Sequence, residues 1–173
     1  MLQELKNQLP EYAKDLKLNL GQVLTANQDL SATQVAGIAL SVAYATRSAP
    51  LISAIENEAK NHLDDAMMNA AKAATSIMAM NNIYYRFVHL ANDAEYHKMP
   101  TNLRMNIIGN PGINKSDFEL FSLAVSAING CGLCMDSHAK ILQKSGVSKN
   151  TIQHAVRIAA VLNGIVQVMH IEK

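Results

Sequence analysis

Tryptophan is absent from this 173-residue chain, and Phe, Tyr and Trp together supply only 5% of it. Charge of one sign is lacking too: 15 Lys+Arg stand against 14 Asp+Glu, a formal net charge of +1. Without a basic surplus the chain bears no mark of a nucleic-acid binder, and without an acidic tail it has no solvating or masking segment. Eight glycines and four prolines are too few for a collagen or a flexible linker protein. Two cysteines exclude a multi-disulfide secreted scaffold and leave one thiol pair to explain. Long apolar runs are missing as well. The longest, Ile158 to Ile171, is broken by Asn163, Gly164, Gln167 and His170 and falls short of the roughly 20 residues a membrane span needs. The opening Met1-Leu2-Gln3-Glu4-Leu5-Lys6 meets charge at once, unlike a secretory leader. These absences predict a soluble, cytoplasmic protein with no membrane segment.

What is there points to helices. Hydrophobic residues make up 49% of the chain, nine of them Met, with much Ala and little β-branched alternation. The length suits a single all-α domain with a sizeable core. Leu2, Leu5 and Leu9 form a stripe ending at Pro10, and Tyr12, Leu16 and Leu20 form the next. Ser31 and Gln34 stand at capping-box spacing before the apolar run Val35 to Ala45. Pro50 suits a first helical turn, opening a segment through Leu51, Ile55 and Ala59. A long pattern then runs from about Asp64 to Leu90 through Met67, Ala71, Ala74, Met78 and Ile83. Pro100, Gly109, Pro111 and Gly112 mark 91–115 as a connection, in which Leu103, Met105, Ile107 and Ile108 can pack. Helices are predicted over about 117–129, 131–145 and 149–171, with Gly146 as a left-handed cap.

A faint repeat lays Leu40–Thr46 on Leu123–Asn129. Continued without a gap, it puts Ser48 on Cys131, Leu51 on Cys134 and Ile55 on His138. The pattern is compatible with one domain, 1–173, built from two related halves at about 1–90 and 103–173. In that case only the second half carries chemistry.

Chemistry concentrates in Asn129-Gly130-Cys131-Gly132-Leu133-Cys134-Met135-Asp136-Ser137-His138. Asn129-Gly130 ends one helix, so Cys131 falls at the start of the next, where unpaired N–H groups and the helix dipole favour a thiolate. A C-x-x-C at a helix start is a redox geometry. Helical spacing puts His138 on the face of both cysteines, over the turn carrying Cys134, where it is expected to exchange a proton with Cys134 directly. Two other readings stay open: a pair of buried small residues, or three of four ligands of a zinc site. Glu119 reads first as structural, because Ser116-x-x-Glu119 has capping-box spacing. His62, His89, His97, His154 and His170 show no ligand spacing and are expected to be surface or satisfied polar residues, and the methionines to fill core or subunit contacts.

The chain resembles the alkyl hydroperoxidase D family, within the carboxymuconolactone-decarboxylase-like superfamily, over nearly its full length. Leu9-Pro10-Glu11-Tyr12-Ala13-Lys14-Asp15 is similar to that family's N-terminal signature. Met80-Asn81-Asn82-Ile83-Tyr84-Tyr85-Arg86 and Leu103–Gly112 are similar to its middle. Phe118 to His138 carries its active-site pattern, a Glu followed by C-x-x-C-x-x-x-H. The resemblance implies an all-α homo-oligomer, commonly a trimer, that reduces organic hydroperoxides to alcohols. It holds no tightly bound cofactor and takes electrons from dihydrolipoyl groups on the acyltransferase subunit of a 2-oxo-acid dehydrogenase. It also implies regeneration of the peroxiredoxin alkyl hydroperoxide reductase C. Cys134 would be the peroxidatic thiol passing through sulfenic acid, Cys131 the proton donor and resolving thiol, and Glu119 with His138 the proton relay. Some members have histidine between the cysteines where this chain has Leu133, which puts any mechanism needing a second imidazole in doubt here. Helix electrostatics favour Cys131 as the thiolate, whereas the helical spacing and the family favour Cys134, and Cys134 is preferred. The rival functions are a protein-specific thiol–disulfide reductase without peroxidase activity and a metal-stabilised interaction domain.

Overall fold

In a computed structural model, residues 2–172 are described, and among them nine α-helices and no strand occur. They are α1 (Leu2–Asn7), α2 (Lys14–Val23), α3 (Ala32–Thr46), α4 (Ala49–Ala59), α5 (Asp65–Leu90), α6 (Asn106–Gly109), α7 (Lys115–Ile128), α8 (Gly132–Lys144) and α9 (Lys149–Ile171). The all-α class predicted from composition holds.

Local chemistry explains most boundaries. Ser31 Oγ accepts the Gln34 N–H while the Gln34 side chain accepts the Ser31 N–H, so the capping box at α3 forms as expected. Pro50 sits in the first turn of α4, and Asp64 caps α5 through the Met67 N–H. Gly146, at φ 82°, ends α8 with paired bonds from Gly146 N to Gln143 O and from Val147 N to Leu142 O.

Helices α3, α5, α7 and α9 pack on one another and enclose the core, in which Leu40, Phe118, Phe121, Ile158 and Leu162 are fully buried. Helix α4 lies on α3, α2 on α9, and α8 on α7 and α5. Gly37 lets α3 and α7 approach, since a Cβ there would fall on the Phe121 ring. The helix beginning at Lys149 is one piece of 23 residues, longer than the apolar run visible in the sequence. By length and composition it could cross a membrane, yet half of its most apolar window is buried in the fold, against α2, α3 and α7.

Several side chains depart from expectation. Tyr12 is not part of the α2 stripe; it lies exposed and donates to Glu172 Oε1 at 2.7 Å, because α2 begins only at Lys14. Ile83 is exposed on the outer face of α5, and of the connection's apolar residues Ile108 packs on the core while Leu103 and Ile107 do not. Ser116 is not a cap: α7 begins one residue earlier, and Asn114 Oδ1 takes the cap by accepting the Ser116 N–H. Glu119 is therefore released from the helix start and turns inward.

Candidate active site

The corner between α7 and α8 sets the site. Gly130, at φ 67°, turns the chain, with Gly130 N–H donating to Ala127 O and Cys131 N–H to Ser126 O. Cys131 is then the extended residue that caps α8, and its sulfur accepts the Cys134 N–H at 3.3 Å. The cap position closes the distance between the two cysteines to 5.3 Å between Cα atoms, and they are joined as a disulfide. The gapless register of the repeat has the same backbone corner at its earlier position: Arg47 is left-handed at φ 59°, and Ser48 is the extended cap of α4.

Helix α5 clamps this corner. Arg86 Nη1 donates to the Asn129 carbonyl at 2.7 Å, Asn129 Nδ2 donates to Asn82 Oδ1 at 2.9 Å, and Asn82 Nδ2 donates to Ser126 Oγ at 2.9 Å. A buried polar chain with its partners supplied holds geometry more tightly than apolar contact alone.

The two sulfurs differ in surroundings. Cys131 is 0% exposed, whereas Cys134 is 6% exposed and lines a cavity of about 390 Å³ together with His138, Glu119, Met78, Asn81 and Tyr85. Leu133, Met105, Ile108 and Ile141 make much of the remaining wall apolar. Leu133, which stands between the two cysteines, thus contributes hydrocarbon to the cavity.

His138 Nδ1 lies 2.6 Å from Glu119 Oε2, and both groups are buried. A carboxyl and an imidazole this close hold a proton between them, and the pairing is what allows either to be enclosed. The other ring nitrogen, Nε2, lies 3.3 Å from Met78 Sδ, a group with no proton to give. Direct contact between His138 and Cys134 was expected, and among the described residues no hydrogen bond joins them. The disulfide gives the physical reason: the Cys134 sulfur is bonded to Cys131 and has no proton to exchange.

All four residues singled out in the sequence, Glu119, Cys131, Cys134 and His138, thus meet at one place. The remaining histidines lie apart from it. His62, His89, His97 and His170 are exposed, and His154 is buried elsewhere with Nδ1 on Asn27 Nδ2 at 3.2 Å and Nε2–H donating to Val23 O at 3.0 Å. Among the described residues, no three of His, Cys, Asp and Glu cluster to hold a metal ion. Sequence reasoning places Met78 in a helical stripe and Asn81, Asn82 and Arg86 in the family pattern, but gives none of them a role at the site. The available signal was two adjacent Asn residues deep inside a long helix, where asparagine is a poor helix former. Two polar atoms at the cavity, Glu119 Oε1 and Asn81 Oδ1, are buried without a hydrogen bond, a condition that costs about 1–3 kcal/mol for each neutral group.

Comparison with known proteins decides the family. The chain is 64% identical to alkyl hydroperoxide reductase AhpD of Coxiella burnetii (strain RSA 493 / Nine Mile phase I), over 99% of this chain and 98% of that one. The chain belongs to the AhpD family. Two further AhpD proteins agree, that of Rhodospirillum centenum at 53% identity over 99% of this chain and 91% of its own, and that of Streptomyces coelicolor at 53% over 95% and 92%. The model of the carboxymuconolactone decarboxylase family matches residues 94–172, the stretch that contains Glu119, Cys131, Cys134 and His138. The resemblance read from the motifs therefore holds for the family and for its helical fold.

Proposed function

We propose that this protein is an alkyl hydroperoxide reductase of the AhpD type, a lipoyl-dependent peroxidase that reduces organic hydroperoxides to alcohols. The observation that carries the reading is the asymmetry of the pair: Cys134 faces a largely apolar cavity beside a buried Glu119–His138 couple, while Cys131 is sealed behind it. In the reduced protein, His138 with Glu119 takes the proton of Cys134. The thiolate attacks the terminal peroxide oxygen; an S–O bond forms, the O–O bond breaks, and the alkoxide leaves as an alcohol on recovering that proton. Cys131 then condenses with the Cys134 sulfenic acid, releasing water and forming the disulfide. A dihydrolipoyl group reopens it by thiol exchange and is itself oxidised to the cyclic disulfide.

The same dithiol regenerates the peroxiredoxin alkyl hydroperoxide reductase C, and the lipoylated acyltransferase subunit of a 2-oxo-acid dehydrogenase is the electron source. The protein works in the cytoplasm as a homo-oligomer, a trimer. The names of its relatives support the reductase reading, and the apolar lining supports an organic substrate.

A thiol count tests it. Reduced, metal-free protein has two thiols; one equivalent of an alkyl hydroperoxide is expected to consume both, and dihydrolipoamide to restore them. Two thiols persisting after exposure would sink the peroxidase reading and leave a thiol–disulfide reductase that acts only on a protein partner.

A further inference from the structure

Asn81 lies on α5, is 4% exposed, and lines the cavity that holds Cys134. Its amide oxygen is enclosed and makes no hydrogen bond. Of the other polar groups there, His138 faces Glu119 and Met78, the Tyr85 hydroxyl lies 3.5 Å from Thr101 Oγ1, and Glu119 Oε1 is enclosed without a hydrogen bond, as Asn81 Oδ1 is. Asn82, the next residue, is fully occupied in the clamp on the α7–α8 corner, so the two asparagines have different duties. No lysine or arginine lines the cavity.

We propose that the Asn81 carboxamide binds the O–O group of the hydroperoxide and stabilises the oxygen that leaves, an inference that rests on the peroxidase reading. A hydroperoxide offers one O–H donor and lone pairs on both oxygens, and a carboxamide offers the complementary acceptor and donors. As the Cys134–oxygen bond forms and the O–O bond breaks, sulfur loses two electrons and the departing oxygen gains negative charge. That oxygen then takes the proton held by His138 and Glu119. In a cavity lined by no lysine or arginine, a carboxamide N–H turned to the growing charge is the donor that stabilises it. The apolar walls contributed by Met105, Ile108, Leu133 and Ile141 receive the alkyl group.

The test separates the two half-reactions in wild type and Asn81→Leu. Reduced protein is mixed with tert-butyl hydroperoxide while thiol loss is followed; oxidised protein is mixed with dihydrolipoamide while thiol recovery is followed. Replacing an unpaired buried amide by leucine is expected to leave Tm unchanged or raised and to leave thiol recovery unchanged. Oxidation by the hydroperoxide is expected to slow by about 10²-fold, the scale of one lost oxyanion donor. Oxidation within twofold of wild type would overturn the assignment. So would equal slowing of both half-reactions with a lowered Tm, which marks a structural role. Should Asn81→Leu fail to fold, Asn81→Ala decides by the same criteria. A wild-type dithiol that survives the hydroperoxide would overturn the peroxidase reading itself, and is read before any variant.

Discussion

His138 Nδ1 and Glu119 Oε2, from helices α8 and α7, stand 2.6 Å apart inside the protein, with Glu119 only 1% exposed. Both groups line the cavity that holds Cys134, so the pair's chemistry and its contribution to packing have to be separated by experiment. Glu119→Gln keeps the size and a hydrogen bond to the ring but cannot take up a proton. Hydroperoxide turnover is expected to fall by about 10²- to 10⁴-fold, the span of general acid–base contributions, while thermal unfolding shows the fold retained. Steady-state kinetics beside a melting curve check this; wild-type turnover in the variant would reduce Glu119 to a packing role.

The two cysteines are expected to fail differently. Cys134→Ser removes the cavity-facing sulfur and should abolish hydroperoxide consumption with the helical content unchanged by circular dichroism. Cys131→Ser should support a single oxidation that stops at sulfenic acid on Cys134, then proceed to sulfinic acid under excess peroxide. Intact-mass measurement distinguishes these states, and oxidation on the other cysteine would reverse the assignment.

Gly130→Ala isolates the backbone of the corner. The position has φ 67° and open space around a would-be Cβ, so the cost is conformational alone, about 1–2 kcal/mol. A Tm lower by about 2–8 °C follows for a domain of this size. Gly37→Ala should cost more, because its methyl group meets the Phe121 ring between two core helices.

Tyr44 supplies an alkaline probe. Burial, followed by its hydrogen bond to Glu56 at 2.5 Å, pushes the phenol above its ordinary value of 10.0. A raised folded-state value means that the stabilising contribution is complete below the unfolded value near 10 and is lost as pH rises above it. Denaturation midpoints should therefore fall with pH in that range, and Tyr44→Phe should flatten this part of the decline. Parallel curves for the two proteins would contradict it.

Helix starts and stops were legible where a local device acts alone. The Ser31–Gln34 box, Pro50 and Gly146 need only their neighbours in sequence, and each does what its residue type requires. Ser116 carried the same spacing and misled, because Asn114, two residues earlier, is the better cap and takes the position. The cysteine pair and His138 were legible through helical periodicity, and Glu119 through the family pattern. Asn81 was not, although its segment was recognised. Which face of a long helix looks into a cavity depends on how α5 packs against α7 and α8, and the exposed Ile83 only two positions away shows that apolar character does not report it.

The enclosure of Cys131 behind Cys134 reaches beyond the first chemical step. An incoming thiolate meets the sulfur of Cys134, the same atom that meets the peroxide, because the other sulfur has no exposed surface. Under the proposed cycle, oxidant and reductant therefore take turns at one doorway and never occupy it together. Kinetics of the double-displacement kind follow, with parallel reciprocal plots and each substrate at high concentration competing against the other.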